Sequence, residues 1–395
     1  MAGGHRCDDR GVRGRACRLR PAVVYGLLHA GLAIARSLGR AGIRVEGIAR
    51  HRYEFGLRSR YLRRRTVAPD DDAELEALRH AAAEGERPVL FLERDENIDT
   101  VLRRWDEIRE LADVPLPADP EAVRRLRRKD LLPQVAAEAG VPSPYTIRAE
   151  SPEAILDAHL QPPLLVKPLE GQEFAAALGE KAVPAATVEQ AVAAWKRAKE
   201  RGFETVVQEL VPDSHEQIYS LFTYVGREGQ PLASVVGRKV RQGPLRFGTS
   251  AVFTAGHDQE VHDLGLRVLG AVDYLGLAHV EFVRDPRDGQ LKVIEVNTRP
   301  PVWAGIATGP ELGIAKVAYD DLTGRATESR TMTEQLTWIY LAKDIHVSAQ
   351  MARRGELPPR EFIRHYLQRK KVRATFAADD PAPAVASLGY LRSRV

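Results

Sequence analysis

The side chains with the clearest chemical potential lie in two short apolar segments on either side of a turn at residues 285–289. Their β-branched and aromatic residues predict a β-hairpin. Because side chains two apart on a strand share a face, Glu295, Asn297 and Arg299 point the same way. Glu281 on the partner strand can join them at cross-strand distance. Two carboxylates and an amide oxygen suit Mg²⁺, and the apolar neighbours favour a metal site over a solvated strand face.

Two lysines could supply positive charge to a phosphate. Lys167 ends the apolar segment Leu-Leu-Val-Lys-Pro, and a lysine at the end of a buried strand can act as a point charge for a phosphate. Lys129 follows a run of arginines, so by itself it is better explained as part of a solvated basic face. The two lysines and the acidic hairpin together indicate a phosphate-binding site more strongly than either lysine does alone.

A third group of residues could recognise a nucleoside. A predicted strand ends at Glu209 and continues into an apolar linker, Leu210 and Val211, with a further acid, Glu216, seven residues after Glu209. Backbone groups of such a linker can pair with an adenine edge, and an acid can accept hydrogen bonds from ribose hydroxyls. Taken alone, this pattern is weak.

The first elements of the chain predict a doubly wound α/β domain. A strand at 21–25, a helix at 32–38 and a strand at 43–48 follow one another around glycine-containing turns. A nicotinamide dinucleotide would require GxGxxG after the first strand and an acid at the end of the second. The chain has Gly26-Leu-Leu-His-Ala-Gly and Arg50 at those places, which indicates a supporting or substrate-binding domain instead.

An acidic run, Glu93 to Glu96, follows the next predicted strand at 88–92. It lies at the strand end where open α/β sheets bind ligands. We predict that Asp95 helps to bind an amine substrate through an exposed carboxylate. The alternative is that Asp95 caps a helix that begins near Asn97.

The pattern changes after a proline-rich linker at 114–120. Helices are predicted at 121–140, 187–202 and 261–275, and antiparallel strands at 219–225 and 231–239. Beyond Gly324 we predict helices near 334–342 and 359–369. The predicted regions are a disordered Arg-rich tail at 1–20, an α/β domain at 21–117, an α+β domain at 118–324 and a C-terminal helical extension at 325–395.

The composition restricts the classes of function. The 395 residues carry a net charge of +4 and are enough for two or three domains. The two cysteines, Cys7 and Cys17, lie in the Arg-rich tail, so we expect no disulfide framework and a cytoplasmic location. No segment resembles a secretory signal or supplies the roughly 20 apolar residues of a membrane span. A nucleic-acid partner would rest on the tail alone, because nothing else resembles a nucleic-acid-binding module.

These motifs, in this order and spacing, resemble the ATP-grasp superfamily. The match covers roughly residues 118–324, and Glu295-Val-Asn-Thr-Arg299 is its most specific part. The resemblance implies a Rossmann-like pre-ATP-grasp domain, a two-lobed ATP-grasp fold and a short C-terminal extension. Finer motifs resemble the carboxylate–amine ligase branch that includes D-aspartate ligase; they are Leu-Arg-Arg-Lys129-Asp-Leu-Leu, Val-Gly-Arg238-Lys-Val-Arg-Gln-Gly-Pro and Asp379-Asp-Pro-Ala-Pro.

The resemblance also implies a role for each matched residue. The residues that would hold ATP are Lys129 and Lys167 at the α- and β-phosphates, Glu209 with the backbone of Leu210 and Val211 at adenine, and Glu216 at ribose. The ligands of Mg²⁺, which Mn²⁺ could replace, would be Glu281, Glu295 and Asn297. The catalytic residues would be Arg299, facing the acyl phosphate or the substrate carboxylate, and Lys239 and Arg241, near the transferred phosphate.

The implied reaction activates a small-molecule carboxylate as an acyl phosphate and joins it to an amine, with release of ADP and phosphate. Amino acids are natural candidates for both substrates, and a homodimer is compatible with the sequence. The same site could serve an ATP-grasp carboxylase or another enzyme that uses an acyl phosphate. A non-catalytic ATP-binding regulator is a further alternative, although it would not need the complete metal set.

Three features are left open by the resemblance. Many ATP-grasp enzymes have a glycine-rich loop over the phosphates, whereas here only Gly171 and Gly179 follow Lys167 before the next predicted helix at 187–202. His279 shares the face of Glu281 and is either an acid–base group or a hydrogen-bonded core residue. Trp303 either lines a substrate pocket or packs in the core, and packing is favoured.

Overall fold

The structure is a computed structural model, and it describes residues 19–83, 86–169, 174, 177–212, 218–245 and 247–392. Glu216, Gly171 and nearly all of the Arg-rich tail therefore lie outside the described residues. Among the described residues, no helix is long and apolar enough to cross a membrane. Three β-sheets organise the described chain.

The first sheet is parallel and has four strands in the order β3-β2-β1-β4. Its elements are β1 (Ala22–Tyr25), α1 (His29–Arg40), β2 (Val45–Ala49), β3 (Leu62–Val67), α2 (Asp71–Ala83) and β4 (Val89–Leu92). The predicted strands and helices of this region are confirmed, but β3 was missed. This edge strand carries three consecutive exposed arginines, so it lacks the alternation that marks a half-buried strand.

A buried carboxylate, that of Glu93, stabilises the turn after β1. The buried Glu93 accepts hydrogen bonds from the backbone N–H groups of Leu28 (2.6 Å) and Ala30 (2.8 Å), at the start of α1. Gly31 permits a close approach, since a Cβ there would lie 1.9 Å from the carbonyl oxygen of Gly26. Glu93 thus takes the place at the helix N-terminus where a bound dinucleotide would put its phosphate. Burial, with the nearby charge of Glu54, raises the pKa of Glu93 to about 7.

Helices connect this sheet to the next. They are α3 (Asp95–Arg103), α4 (Trp105–Leu111), α5 (Pro120–Arg127) and α6 (Leu132–Glu138). The single helix predicted at 121–140 is therefore wrong: it breaks after Arg127, and Lys129 lies in the intervening turn. Pro133 in the first turn of α6 explains the break, because proline has no backbone N–H to donate and its ring clashes with the carbonyl group four residues earlier, so a continuous helix cannot pass through it.

The second sheet is antiparallel, with the order β5-β8-β6-β7. Its strands are β5 (Thr146–Ile147), β6 (Leu164–Pro168), β7 (Val183–Ala185) and β8 (Thr205–Glu209), and α7 (Pro152–Asp157) and α8 (Val188–Glu200) accompany them. This unit has its own small core, which includes Trp195 of α8, Val166 and Val207.

The third sheet has eight strands, in the order β13-β12-β9-β10-β11-β15-β16 with β14 beside β10. Its strands are β9 (Ile218–Val225), β10 (Pro231–Gly243), β11 (Thr249–Gly256), β12 (Gly276–Arg284), β13 (Leu291–Asn297), β14 (Arg330–Thr331), β15 (Leu336–Ile339) and β16 (Lys371–Arg373). The accompanying helices are α9 (Gln259–Gly270), α10 (Ile314–Leu322), α11 (Leu341–Arg353), α12 (Pro359–Arg364) and α13 (Ala382–Arg392).

The helix predicted at 334–342 is wrong, and the region after Gly324 is not simply a helical extension. Its residues 336–339 form the fully buried strand β15, which pairs with β11 through Trp338 and Phe253. The β-branched and aromatic composition of Leu-Thr-Trp-Ile favours a strand. The region therefore completes the large sheet and also contributes three helices.

Candidate active site

The acidic hairpin forms as predicted. Strands β12 and β13 are antiparallel, with Glu281 directly opposite Glu295 and His279 opposite Asn297. Glu281 is buried, whereas Glu295 is exposed. The register therefore brings two carboxylates and one amide oxygen together on adjacent strands.

Lys239 of β10 contacts this group directly. Its Nζ lies 3.2 Å from Oε1 of Glu281 and donates a weak hydrogen bond of 3.4 Å to the carbonyl oxygen of Gly248. Both side chains are about nine-tenths buried, so each charge is compensated mainly by the other. The predicted catalytic residue Lys239 and the predicted metal ligand Glu281 are thus neighbours.

The donor set fits Mg²⁺ by its chemistry. Among the residues that the structure describes, no three His, Cys, Asp or Glu side chains cluster as a metal site. Two carboxylates and one amide oxygen are a smaller set, but Mg²⁺ binds through one or two carboxylates and completes its shell with waters and substrate phosphates. Glu281, Glu295 and Asn297 would hold the ion, which would neutralise phosphate charge there.

The two predicted phosphate-binding lysines lie at the second sheet, across from the acidic hairpin of the third. Nζ of Lys167, at the end of β6, donates to Oε1 of Gln208 at 2.7 Å, and Gln208 in turn donates to the hydroxyl of Thr146. Nζ of Lys129 donates to the carbonyl oxygen of Leu169 at 3.4 Å. Gln208 is a site residue that sequence reasoning missed, although its position immediately before Glu209 was a usable signal.

The pKa of Lys167 shows which charges surround it. Burial is the main cause that lowers this pKa to about 8, and the charge of Lys129 acts in the same direction. The carboxylates of Glu295 and Glu281 oppose the shift. A lysine of the second sheet therefore lies within electrostatic reach of the acidic hairpin of the third sheet.

The predicted adenine-binding groups already have partners within the chain. Oε1 of Glu209 accepts a hydrogen bond of 2.9 Å from the backbone N–H of Gln161. The backbone N–H of Leu210 donates to the carbonyl oxygen of Pro163 at 2.8 Å, and Val211 is buried. The nucleoside roles of these three residues remain predictions.

Arg299 and Asp95 form an ion pair between the first and third sheets. Nε and Nη2 of Arg299 donate to the two carboxylate oxygens of Asp95 at 2.9 and 2.6 Å. Burial alone would raise the pKa of Asp95, but the charge and hydrogen bonds of Arg299 outweigh it, and the pKa is lowered to about 2. Asp95 is therefore not the exposed carboxylate that we predicted. It is also not a cap before the helix, because α3 begins at Asp95 itself.

Arg241 is held by the C-terminal region. Its Nε and Nη2 donate to the carboxylate of Asp344 at 2.6 and 2.9 Å, and both side chains are almost fully buried. The hydroxyl of Tyr366 donates to the same carboxylate. No sequence pattern indicated Asp344, which lies 103 positions from Arg241.

His279 and Trp303 form the buried floor of the site. Trp303 stacks on Phe253 with a centroid distance of 3.7 Å and meets the His279 ring edge-on at 5.4 Å, so the favoured packing role agrees with its position. Neither ring nitrogen of His279 has a hydrogen-bond partner among the described residues. Burial, with the charges of Arg299 and Lys239, lowers the pKa of His279 to about 3. A hydrogen-bonded core histidine is thus not what the structure shows.

Comparisons with known proteins bear on the fold of the chain. No protein-family model matches the chain. D-aspartate ligase from Enterococcus faecium is 24% identical over 216 residues, which are 51% of each chain, so the chain spans about half the length of this curated relative. The structure resembles an ADP complex of N5-carboxyaminoimidazole ribonucleotide synthetase (TM-score 0.63, 15% identity, 86% and 87% of the two chains). It also resembles an L-amino acid ligase from Bacillus licheniformis (TM-score 0.58, 15% identity, 77% and 74%).

These neighbours share an architecture with the chain, and the resemblance to the first of them covers 86% of the chain rather than the acidic hairpin alone. The chain therefore has the ATP-grasp fold, and the resemblance to the carboxylate–amine ligases of the ATP-grasp superfamily that its sequence predicts is confirmed.

Proposed function

We propose that the protein is an ATP-dependent carboxylate–amine ligase that works through an acyl phosphate. The observation that carries this proposal is that Lys167 on the second sheet lies within electrostatic reach of Glu281 and Glu295, which are opposite each other on the third. Cations on one sheet and metal-binding oxygens on the other are what a nucleoside triphosphate with Mg²⁺ requires. In this assignment the second and third sheets belong to the two lobes, and the parallel first sheet is the Rossmann-like pre-ATP-grasp domain.

The chain's residues would act mainly by position and charge. Lys129 and Lys167 would hold the phosphates, and Lys239 would lie beside the transferred phosphoryl group, where it stabilises developing charge. The substrate carboxylate would attack that group, and ADP would leave. The amine would then displace phosphate from the acyl carbon and form the amide bond. A closed site protects the acyl phosphate, because water would otherwise hydrolyse it.

The ion pair with Asp95 would orient Arg299 for this reaction. With both carboxylate oxygens occupied, Asp95 is better suited to orient Arg299 than to bind a substrate ammonium group. Arg299 would then face the acyl phosphate in a fixed orientation, and one N–H of Nη1, beyond the weak bonds of Arg299 to Pro300 and Asn297, would be available to a phosphate or carboxylate oxygen.

A screen of paired substrates tests the proposal. Purified protein is incubated with ATP, Mg²⁺, one carboxylate and one amine, starting with D-aspartate and other amino acids because of the sequence relative. We expect ADP and phosphate release that depends on both substrates, and an amide product by mass spectrometry. ADP release with bicarbonate and no amine would indicate a carboxylase. ATP binding without turnover for every pair would indicate a regulator.

A further inference from the structure

A second cluster of polar groups, partly buried, lies where the C-terminal region meets the start of α1. Lys343, in the first turn of α11, donates from Nζ to the carbonyl oxygen of Thr249 at 2.9 Å and also to its hydroxyl group. Among the described residues, Lys343 has no carboxylate within salt-bridge distance. An ammonium group that meets only neutral oxygens has unused capacity for an anion.

Two side chains near Lys343 carry polar atoms without hydrogen-bond partners among the described residues. Tyr340 immediately precedes α11, and its ring centroid lies 4.4 Å from that of His29, the first residue of α1. Both residues are 7% exposed, yet the Tyr340 hydroxyl and Nε2 of His29 have no hydrogen-bond partner among the described residues. Buried polar atoms in folded proteins are nearly always paired, so these two neighbouring unpaired groups are placed to hydrogen-bond a polar ligand.

The surrounding charge favours an anion. Nζ of Lys239 and Nζ of Lys343 donate to the carbonyl oxygens of the consecutive residues Gly248 and Thr249. Burial, with the charges of Lys181 and Lys239, lowers the pKa of Lys343 to about 7. Burial and the charge of Lys343 similarly lower the pKa of His29 to about 3, so this ring is neutral and can donate a hydrogen bond from one nitrogen.

The proposed reaction contains two anionic reactants. The phosphates of ATP already have Lys129, Lys167 and the metal-binding oxygens. The other anion is the substrate carboxylate, and it needs a cationic site near Lys239, which lies beside the acidic hairpin. The cluster around Lys343 is close to Lys239, and the hydrogen-bond acceptor of Lys343 is different from those of Lys129 and Lys167.

We propose that Lys343, Tyr340 and His29 form a binding site for a carboxylate group of the acid substrate. This inference rests on the proposed function for its choice of ligand. Lys343 supplies the charge, the Tyr340 hydroxyl and Nε2 of His29 donate hydrogen bonds, and the start of α11 adds unpaired backbone donors and a favourable dipole. The C-terminal region thus contributes a specificity-determining residue to the site.

Ligand binding can be measured without turnover. The thermal unfolding midpoint is followed against succinate, with inorganic phosphate as a second anion and succinamide as the uncharged analogue. We expect succinate to stabilise the wild-type protein, succinamide to have no effect, and phosphate to act more weakly. In Lys343→Met the apparent Kd for succinate should rise by about tenfold or more, which corresponds to ~1.4 kcal/mol.

Matched variants separate this role from a structural one. Lys343→Arg should retain most of the succinate response because it keeps the charge, and Tyr340→Phe should lose part of it. Lys316→Met removes a lysine that pairs with Asp320 on α10 and should behave like the wild type. ATP affinity, measured by calorimetry, should be unchanged in Lys343→Met, which also shows that this variant is folded.

Several outcomes would overturn the inference. They are a wild-type protein that no succinate concentration stabilises, a Lys343→Met variant with the wild-type response, and a response that phosphate matches while ATP affinity falls in the variant. The last result would place Lys343 in the nucleotide pocket. Because these measurements need no amine and no turnover, failure of the ligase screen would leave them interpretable.

Discussion

At the scale of single residues, the site contains side chains of opposite charge that have few other polar partners within the described part of the chain. Glu281 has Lys239 as its close cationic partner, and Lys167 has only the neutral Gln208 as its hydrogen-bond acceptor among the described residues. Glu295 is exposed on the same sheet, opposite Glu281. A metal bound to triphosphate would add charge of both signs to this site and would complete it.

The metal assignment predicts the effect of a single atom change. Glu295→Gln keeps the size of the side chain but removes its charge, so Mg²⁺-dependent ADP release should fall by at least about a hundredfold while the fold is retained. Steady-state ADP release at increasing Mg²⁺ concentration measures the change. Glu260→Gln, which removes an exposed partner of Arg284, is the control and should keep wild-type turnover. Near-normal turnover in Glu295→Gln would show that the metal ligands are assigned wrongly.

The lysine assignment predicts both nucleotide selectivity and a pH dependence. Lys167→Met should weaken ATP binding by about tenfold or more and AMP binding much less, because AMP lacks the β-phosphate. Lys167 is charged below its pKa of about 8 and neutral above it, so ATP affinity of the wild type should fall as the pH rises through that value. In Lys167→Met this component should disappear. Calorimetry across the pH range tests both points.

The control for this prediction is Lys196→Met, a change of an exposed lysine on α8. It should leave both nucleotide affinities and their pH dependence unchanged. An equal loss of ATP and AMP binding in Lys167→Met would mean that the ammonium group does not contact a phosphate.

At the scale of elements, turns and strand ends place the charged groups. Pro133 breaks the helix and leaves Lys129 in a turn, where its ammonium group reaches the chain just after β6. The long strand β10 carries Lys239 towards the acidic hairpin and Arg241 towards α11. Irregular pairing between β10 and β11 at Lys239 and Arg241 accompanies this difference in direction.

The buried pair between β10 and α11 can be dissected by a double-mutant cycle. Asp344→Leu leaves Arg241 buried without a counter-ion and should destabilise the protein by about 3–5 kcal/mol, as should Arg241→Met. The double variant Arg241→Met/Asp344→Leu should recover most of that loss, because replacing both charges by apolar groups is often nearly neutral. Chemical denaturation measures the three values.

Turnover of the same variants decides the role of Arg241. If Arg241 only supports α11, the double variant should recover activity together with stability. If Arg241 also contacts the transferred phosphate, stability should return and ADP release should not.

At the scale of the whole molecule, the C-terminal segment around Asp380 forms hydrogen bonds with the region of the first sheet. Asp380 accepts hydrogen bonds from the side chains of Arg36 (2.9 Å) and Ser59 (2.7 Å) and from the backbone of Arg60 (2.9 Å). Arg36 and Asp380 are both almost fully buried. The core is continuous across this junction, since residues of the first sheet, Trp303 and Trp338 belong to one apolar cluster.

This junction predicts a difference between two adjacent acids. Asp380→Asn should cost about 3–5 kcal/mol locally, because it leaves the buried Arg36 without a counter-ion. Asp379→Asn alters an exposed pair with Arg40 and should cost no more than about 1 kcal/mol. Limited proteolysis should therefore cut the C-terminal segment faster in Asp380→Asn than in Asp379→Asn or the wild type. Equal cleavage rates in both variants would remove Asp380 from this role.

The sequence by itself determined the local patterns. Alternation along a strand placed Glu295 and Asn297 together, and the apolar hairpin brought Glu281 opposite them, because these relations depend only on neighbours in the chain. The departure from GxGxxG likewise excluded a dinucleotide site, and the structure shows Glu93 at that place. These relations can be predicted without the tertiary structure, because the backbone of a strand fixes the two-residue alternation of its side chains.

Only the tertiary structure decided which distant charges meet. Asp95 and Arg299 are 204 positions apart, and Arg241 and Asp344 are 103 apart, so no local period relates them. The strand β15 was mistaken for a helix because a short apolar segment fits either structure until the sheet edge that it covers is known. Lys343 had no distinguishing sequence neighbours at all. Its surroundings form where α1, β11 and α11 pack together. These elements are far apart in the sequence, so no single segment predicts their contacts.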